Sequence, residues 1–147
     1  MESKIILDTN IFLGIFFGNN EKCKNLQDFL LSEDSDNIVI MCKTLLNEIH
    51  RNLGKGHSFV HLFHQHVIRL FIKNNRYQFG EESSIPSNCI VSHKNDIHLA
   101  CCAIGNKCKY IITQDEDLEM SPECNLLILS VDNFLKTQFE NSSKEKK

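Results

Sequence analysis

The stretch KIILDTNIFL, residues 4–13, decides the fold that the sequence predicts. Its unbroken apolar run, residues 5–7, is typical of a strand buried on both faces of a sheet. Asp8 follows directly, at the edge where parallel α/β sheets bind their ligands. Thr9 or Asn10 can cap a helix that begins there. The stretch therefore predicts a strand, an acid, a turn and a helix in succession.

Length and composition indicate one globular domain. The chain has 147 residues, of which 41% are hydrophobic, enough for a single core. We expect this domain to span residues 1–140, followed by a disordered polar tail at residues 141–147. No apolar run approaches the ~20 residues of a membrane span, and the N-terminus lacks a signal-peptide pattern. The sequence thus predicts a cytoplasmic protein with no membrane association.

Net charge and cysteine content bear on how the protein could bind nucleic acid and on the redox state of its thiols. The net charge of −3 argues against nucleic-acid binding through bulk basicity, but not against an enzyme that acts on phosphate backbones. The seven cysteines are odd in number and form no CxxC motif. In a cytoplasmic protein we expect them to be reduced and mostly buried thiols.

Periodicity predicts alternating strands and helices. Besides the opening strand, apolar runs predict buried strands at residues 38–41, 110–112 and 126–129, and a brief edge strand at 77–79. Helical spacing is found at residues 10–17, 21–31, 44–53, 58–72, 96–104 and 131–139. The helix at 58–72 is apolar nearly all round, which suggests a dimer interface. Together these elements predict an α/β fold with a mostly parallel sheet between helices.

Several acids follow strands or lie on helices that follow them. Asp8 and Asp115 each come after a predicted strand, so they converge if those strands are neighbours. Glu48, Asp96 and Asp117 complete the set. Such carboxylates repel one another unless some are protonated or a hard cation such as Mg²⁺ or Mn²⁺ lies among them.

Each acid also has a structural explanation. Asp96 suits the start of a helix, Glu48 can pair with Arg51 or Asn52, and acids such as Asp115 are common in turns. Asp8 is the exception, because it follows an apolar run directly and has no basic neighbour in the sequence.

The order of these motifs resembles a PIN-domain ribonuclease. IILDTNIFL, LLNEIHRNL, KNDIHLACCAIG, KYIITQDEDL and LLILSVDNFLK occur in the family's order and cover residues 4–139. The resemblance implies a three-layer α/β/α fold with a central parallel sheet of four or five strands. It also implies an Mg²⁺- or Mn²⁺-dependent endoribonuclease. Many small members are dimeric toxins of toxin–antitoxin pairs, silenced by a small partner protein.

The resemblance assigns roles to individual residues. The acidic site maps onto Asp8, Glu48, Asp96 and Asp115, with Asp117 as an accessory metal ligand. Thr113 and Asn10 match a recurring hydroxyl and a recurring polar group. We expect Asp8, Asp96 and Asp115 to hold the metal directly or through water, and Glu48 to ligate it or orient the attacking water. Basic residues around the edge would position the RNA backbone: Arg51, Lys55 and Lys94.

Three alternatives remain open at this level. One is a catalytically inactive PIN-like module that binds RNA or protein, which the intact acid set disfavours. Another is a phosphotransfer protein, but those folds place a lysine at a later strand end, where this chain has Thr113 and Asp115. The third concerns His57, His61 and His64, whose helical spacing can bind Zn²⁺, although a polar stripe with no fourth ligand nearby is favoured.

Overall fold

Five parallel strands form the centre of the molecule. In a computed structural model, which describes residues 2–54 and 57–145, they form one sheet in the order β3-β2-β1-β4-β5. The strands are β1 (Ser3–Leu7), β2 (Asn37–Met41), β3 (Tyr77–Phe79), β4 (Tyr110–Ile112) and β5 (Leu127–Leu129). The predicted α/β fold with a parallel sheet of four or five strands is confirmed.

Helices cover both faces of this sheet. They are α1 (Thr9–Phe17), α2 (Glu21–Leu30), α3 (Lys43–Asn52), α4 (His57–Phe63), α5 (Arg69–Lys73), α6 (Ile97–Gly105) and α7 (Val131–Glu145). Helix α2 packs against α1 and α7, whereas α6 packs on β1, β2 and β4. Since strand order reverses between β3 and β4, right-handed crossovers put α6 on the opposite face from α1. This gives the expected three layers.

The two central strands explain why the opening stretch is so apolar. The side chains of Ile5, Ile6 and Leu7 are fully buried, as are those of Ile40 and Met41 in β2. Strands covered on both faces need apolar residues at every position rather than at alternate ones. The prediction of doubly buried strands is therefore confirmed for β1 and β2.

Strand order places the first and fourth strands side by side. Strand β1 pairs in parallel with β4, with Leu7 opposite Ile112, and the Asp8 N–H donates to the Ile112 carbonyl at 2.9 Å. The chain leaves both strands at the same edge, at the point where strand order reverses. The condition for bringing Asp8 and Asp115 together is thus met.

Two local predictions were wrong. The residue that caps α1 is Asp8, not Thr9 or Asn10, because the Asp8 carboxylate accepts from the Thr9 N–H. Strand β5 is an edge strand that pairs only with β4, and its Leu127 is exposed rather than buried. An apolar run does not distinguish a central strand from an edge strand.

The apolar segment predicted as one helix at 58–72 is interrupted in the structure. A π-helical turn, His64–Ile68, separates α4 from α5. Along the whole segment, the side chains of Phe63, Val67 and Phe71 are buried, while those of Phe59 and Ile72 are about half exposed. The single chain therefore covers only part of this apolar surface.

Helix α7 extends further than its apolar spacing predicts. It continues to Glu145, so residues 141–145 are helical where the polar composition predicted a disordered tail. Extending an existing helix adds one hydrogen bond per residue, which makes propagation easier than nucleation. Lys146 and Lys147 lie outside the described residues. No helix in the described part of the chain is long and apolar enough to cross a bilayer.

The prediction of seven reduced thiols was wrong. Cys42 is bonded to Cys102 and Cys89 to Cys124. The first disulfide joins the residue before α3 to α6, and the second joins the loop after β3 to the segment between β4 and β5. Pairings across 60 and 35 residues depend on tertiary proximity, which spacing in the sequence does not show.

Thiol counting tests this assignment. The chain purified without reductant and unfolded in denaturant should react with three equivalents of a thiol reagent, from Cys23, Cys101 and Cys108. After reduction it should react with seven. Seven reactive thiols before reduction would contradict both disulfides. Because disulfides persist mainly in oxidising compartments, the count also bears on the cytoplasmic location predicted from the sequence.

Candidate acidic site at the carboxyl edge of the sheet

Asp8 is the most buried acid at this edge. Its side chain is only 7% exposed, yet both carboxylate oxygens have donors. The Thr9 N–H donates to Oδ1 at 2.7 Å, and the Thr113 hydroxyl donates to Oδ2 at 2.8 Å. Hydrogen bonds of this kind replace part of the hydration that a carboxylate loses on burial. They also fix the position of the side chain.

Thr113 connects the ends of the two neighbouring strands. Its buried hydroxyl donates to Asp8 and accepts from the Asp115 N–H at 3.0 Å. The Asp115 carboxylate in turn accepts from the Asp117 N–H at 2.9 Å, which holds the turn after β4. One hydroxyl therefore sets the position of Asp115 relative to Asp8. Asp115 thus fits the structural alternative of a turn residue, while its second carboxylate oxygen has no hydrogen-bond donor among the described residues.

Glu48 and His98 form a pair between α3 and α6. His98 Nε2 lies 2.7 Å from Glu48 Oε2, an ion-pair distance that lacks the alignment of a hydrogen bond. His98 Nδ1 has no partner among the described residues. The expected alternative for Glu48, a pair with Arg51 or Asn52, does not occur, since the Asn52 amide donates to the Glu48 backbone carbonyl instead.

Asp96 lies at the junction between a 3₁₀ turn, Lys94–Asp96, and α6. It occupies the N-cap position of α6 but makes no capping hydrogen bond through its side chain. Its position agrees with the structural explanation of an acid favoured by the helix dipole, although no capping hydrogen bond holds the side chain there. Its carboxylate is half-buried and remains available to other groups at the edge.

The pKa values of Asp8 and Asp96 show that the charges of the four acids act on one group of side chains. Burial raises the pKa of Asp8, although the bonds from Thr113 and Thr9 oppose the rise, and the charges of Asp96 and Glu48 raise it further. Burial also raises the pKa of Asp96, with further contributions from Asp115 and Glu48. Carboxylates shift one another's pKa only when they are close in space. We call this group, Asp8, Glu48, Asp96 and Asp115, the acidic edge.

The remaining predicted residues have looser connections to the acidic edge. Asp117 and Asn10 are exposed, and no contact links either side chain to the four acids within the described ranges. Arg51 and Lys94 are also exposed, on α3 and on the 3₁₀ turn before α6. Lys55 lies outside the described residues. In the part of the chain that is described, no lysine or arginine pairs with the acidic edge.

The donor chemistry of the acidic edge suits Mg²⁺ or Mn²⁺. Among residues 2–54 and 57–145, no three histidine, cysteine or acidic side chains are placed to hold a metal ion together. Mg²⁺ does not require such a set, because it usually keeps several waters and takes one or two carboxylates. Four acids without a lysine or arginine partner provide those oxygens and the negative charge.

Among the side chains that the structure describes, the predicted histidine stripe shows no zinc site. His64 is half-buried and its Nε2 lies 2.8 Å from Nε2 of His50 on α3, while His61 is exposed. Burial lowers the pKa of His64, and the nearby His50 and His61 add to this effect. The His57 side chain lies outside the described part of the structure. The favoured interpretation, a polar stripe, agrees with the described histidines.

Two contributing residues carried little signal in the sequence. His98 follows Asp96 by two residues in the sequence, but nothing in that spacing indicates that it meets Glu48 across two helices. Ser92 connects the loop before α6 to the loop after β4. Its hydroxyl donates to the Asp117 carbonyl at 3.2 Å and accepts from the Glu119 N–H at 2.9 Å.

Comparisons with known proteins agree with this architecture. The chain is similar to a chain of VapBC2 from Rickettsia felis bound to a DNA fragment from their promoter, with TM-score 0.54 and 16% identity over 86% of this chain and 98% of that one. It is also similar to FitAB bound to an IR36 DNA fragment, with TM-score 0.51 and 15% identity over 86% and 94%. At such identities the likeness shows the fold. No curated protein matches the chain.

A family model decides the classification. The model described as PIN domain matches residues 4–117, which is most of the chain and includes every member of the acidic edge. This confirms the resemblance noted from the motifs. The chain belongs to the PIN domain family.

Proposed function

We propose that this protein is a divalent-metal-dependent endoribonuclease that hydrolyses phosphodiester bonds in RNA. The proposal rests on the acidic edge, where carboxylates from four separate segments lie close enough for Glu48, Asp96 and Asp115 to contribute to the raised pKa of Asp8 or Asp96. No lysine or arginine in the described chain pairs with these acids. PIN domains are a family of nucleases, which supports the reaction class. Metal dependence and RNA as substrate are part of the proposal.

Asp8, Asp96 and Asp115 would hold the cation, directly or through water, with Asp117 as an accessory ligand. When bound, Mg²⁺ or Mn²⁺ supplies charge neutralisation at the scissile phosphate and lowers the pKa of water. The chain's own contribution is positioning. Thr113 fixes Asp8 relative to Asp115, and Glu48, held near His98, either ligates the cation or orients the attacking water.

RNA would be positioned by basic groups around the acidic edge. Arg51 and Lys94 are exposed on segments that also carry Glu48 and Asp96, so both can reach a phosphate next to the scissile one. Lys55 remains a prediction from the sequence. Contacts of this type hold the backbone without distinguishing bases.

We further propose a toxin-type role with a protein partner. Two similar structures, of VapBC2 and of FitAB, are each bound to a DNA fragment, and this supports an antitoxin as partner. The half-exposed Phe59 and Ile72 support a homodimer, because a second copy would cover apolar surface that one chain leaves open. The cytoplasm is the location that this role implies.

Replacing Asp8 tests the nuclease proposal. Asp8→Asn keeps one oxygen that can accept from the Thr9 N–H and cap α1, but its amide nitrogen replaces the oxygen that accepts from Thr113, and the charge is lost. With Mg²⁺ or Mn²⁺ we expect cleavage of single-stranded RNA to fall about 100-fold or more, since a carboxylate that holds the cation is lost. Gel analysis of end-labelled RNA measures the rate.

Asp28→Asn is the matched control, because Asp28 is exposed on α2 and outside the acidic edge. It should cleave at the wild-type rate. Equal rates for Asp8→Asn and the wild type would contradict the proposal. No cleavage of any RNA by the wild type would favour the catalytically inactive binding module.

His98 provides a second test of the same edge. His98→Asn removes the group 2.7 Å from Glu48, so we expect the rate at saturating metal to fall by about 10- to 100-fold. His66→Asn, on the exposed side of the π-helical turn, should have no effect. An unchanged rate and unchanged metal concentration dependence in His98→Asn would show that the pair plays no part in positioning Glu48.

Expression in a bacterial host tests the toxin role. Induction of the wild-type chain should arrest growth, whereas induction of Asp8→Asn to the same level should not. Co-expression of a short DNA-binding protein encoded by the neighbouring reading frame should restore growth and co-purify with the chain. Unaffected growth on induction of active enzyme would favour a housekeeping nuclease instead.

A further inference from the structure

A cleft of about 710 Å³ opens beside Asp115. One wall is the segment between α1 and α2, which contributes Asn19 and Asn20, and another is the turn after β4, which contributes Gln114 and Asp115. The end of β5 and the first turn of α7 close the far side. Its size lies within the ~300–1,000 Å³ typical of small-molecule sites. Since Asp115 belongs both to this cleft and to the acidic edge, a molecule can occupy both at once.

The charge of the lining disfavours a phosphate as occupant. Glu21, Glu116, Asp115 and Asp132 all line the cleft, whereas Lys22 is its one described cation. The Lys22 ammonium is already paired with Asp132 at 2.8 Å. A phosphate would be repelled by the unpaired carboxylates. The cleft therefore suits an uncharged group that carries hydrogen-bond donors.

The other surfaces of the cleft suit a flat, partly apolar group. Leu118, Ile128 and Leu129 contribute apolar surface, and the amide of Gln114 lies on the side next to Asp115. This amide is held at both ends: its oxygen accepts from the Asn20 amide at 3.2 Å, and its nitrogen lies 3.7 Å from Cys23 Sγ. An amide oriented in this way can make paired hydrogen bonds with the edge of a nucleobase.

We propose that the cleft is a nucleobase subsite and that Gln114 determines its specificity. The inference rests on the proposed nuclease function: with the scissile phosphate at the acidic edge, the base of one adjoining nucleotide enters the cleft. Carboxylates accept hydrogen bonds, as does the amide oxygen of Gln114, so the lining favours bases with an exocyclic amino group. Adenine, cytosine and guanine carry such a group, and uracil does not.

Sequencing of cleavage products from a pool of randomised single-stranded RNA tests this inference. The wild type should disfavour uracil at one position next to the cut, and Gln114→Ala should reduce that bias about five-fold or more. Gln65→Ala is the matched control, since Gln65 is exposed on the π-helical turn and away from the cleft, and it should keep the bias. Cleavage with no base preference beside the cut, or the same bias in Gln114→Ala, would overturn the inference while leaving the nuclease proposal intact.

A binding measurement separates the subsite from the reaction. Uncharged nucleosides are added to the isotopically labelled full chain, and the side-chain amide signals of Asn20 and Gln114 are followed by NMR. Adenosine and cytidine should shift these signals more than uridine does at the same concentration. No shift, or an equal response to uridine, would overturn the subsite. If the wild type cleaves no RNA but adenosine still shifts Gln114, the proposed function fails and the base site stands.

Discussion

The site depends on a buried carboxylate that is held in place by its neighbours. Asp8 comes directly after β1, where burial disfavours its charged form, and it also caps helix α1. Removing a carboxylate from water is unfavourable unless donors replace the lost hydration. The Thr9 N–H and the Thr113 hydroxyl are those donors. Because Thr113 comes from the adjacent strand, the stabilisation of Asp8 also fixes the geometry between β1 and β4.

A second constraint acts from outside the sheet. Asp96 lies on a segment with no strand pairing to align it, yet the loops beside it are connected at several points. Ser92 bridges the two loops through its hydroxyl, and the disulfide between Cys89 and Cys124 joins them again further along. These connections limit how far the segment before α6 can move from the turn after β4. The parallel sheet brings two acids together, and the cross-connected loops restrict the third.

The features that the sequence predicted correctly share a local origin. The residues of β1, the order of elements and the position of Asp8 and Asp115 after neighbouring strands all follow from apolar runs and from the geometry of parallel sheets. What it missed depends on contacts between distant segments. Cys42 meets Cys102 because α3 and α6 pack together, and the same packing brings His98 to Glu48. Neither pair has a spacing that would reveal it.

The edge position of β5 and the interruption of the helix predicted at 58–72 were missed for a related reason. The run containing Leu127 is as apolar as that of a central strand, and only the strand order shows that β5 has one neighbour. The π-helical turn at His64–Ile68 has no proline or glycine to mark it. In contrast, the positions of Asp8, Asp96 and Asp115 at strand ends or at the start of a helix could be predicted from the sequence, whereas Glu48 lies within α3 and was assigned from the family resemblance. Asp117, which follows the same strand as Asp115, is exposed and not drawn into the acidic edge.

Negative charge at the acidic edge and in the adjoining cleft determines how an RNA could approach. The phosphate needs a cation between itself and the carboxylates, so the edge would bind a backbone only together with the metal. The cleft has no unpaired cation among its described residues to offset its negative charge, because Lys22 is already paired with Asp132. A nucleotide would therefore separate its two parts, with the phosphate at the edge and the neutral base in the cleft. On this view the chain's net charge of −3 is compatible with an RNA substrate, since recognition would depend on one cation and one base rather than on a broad basic surface.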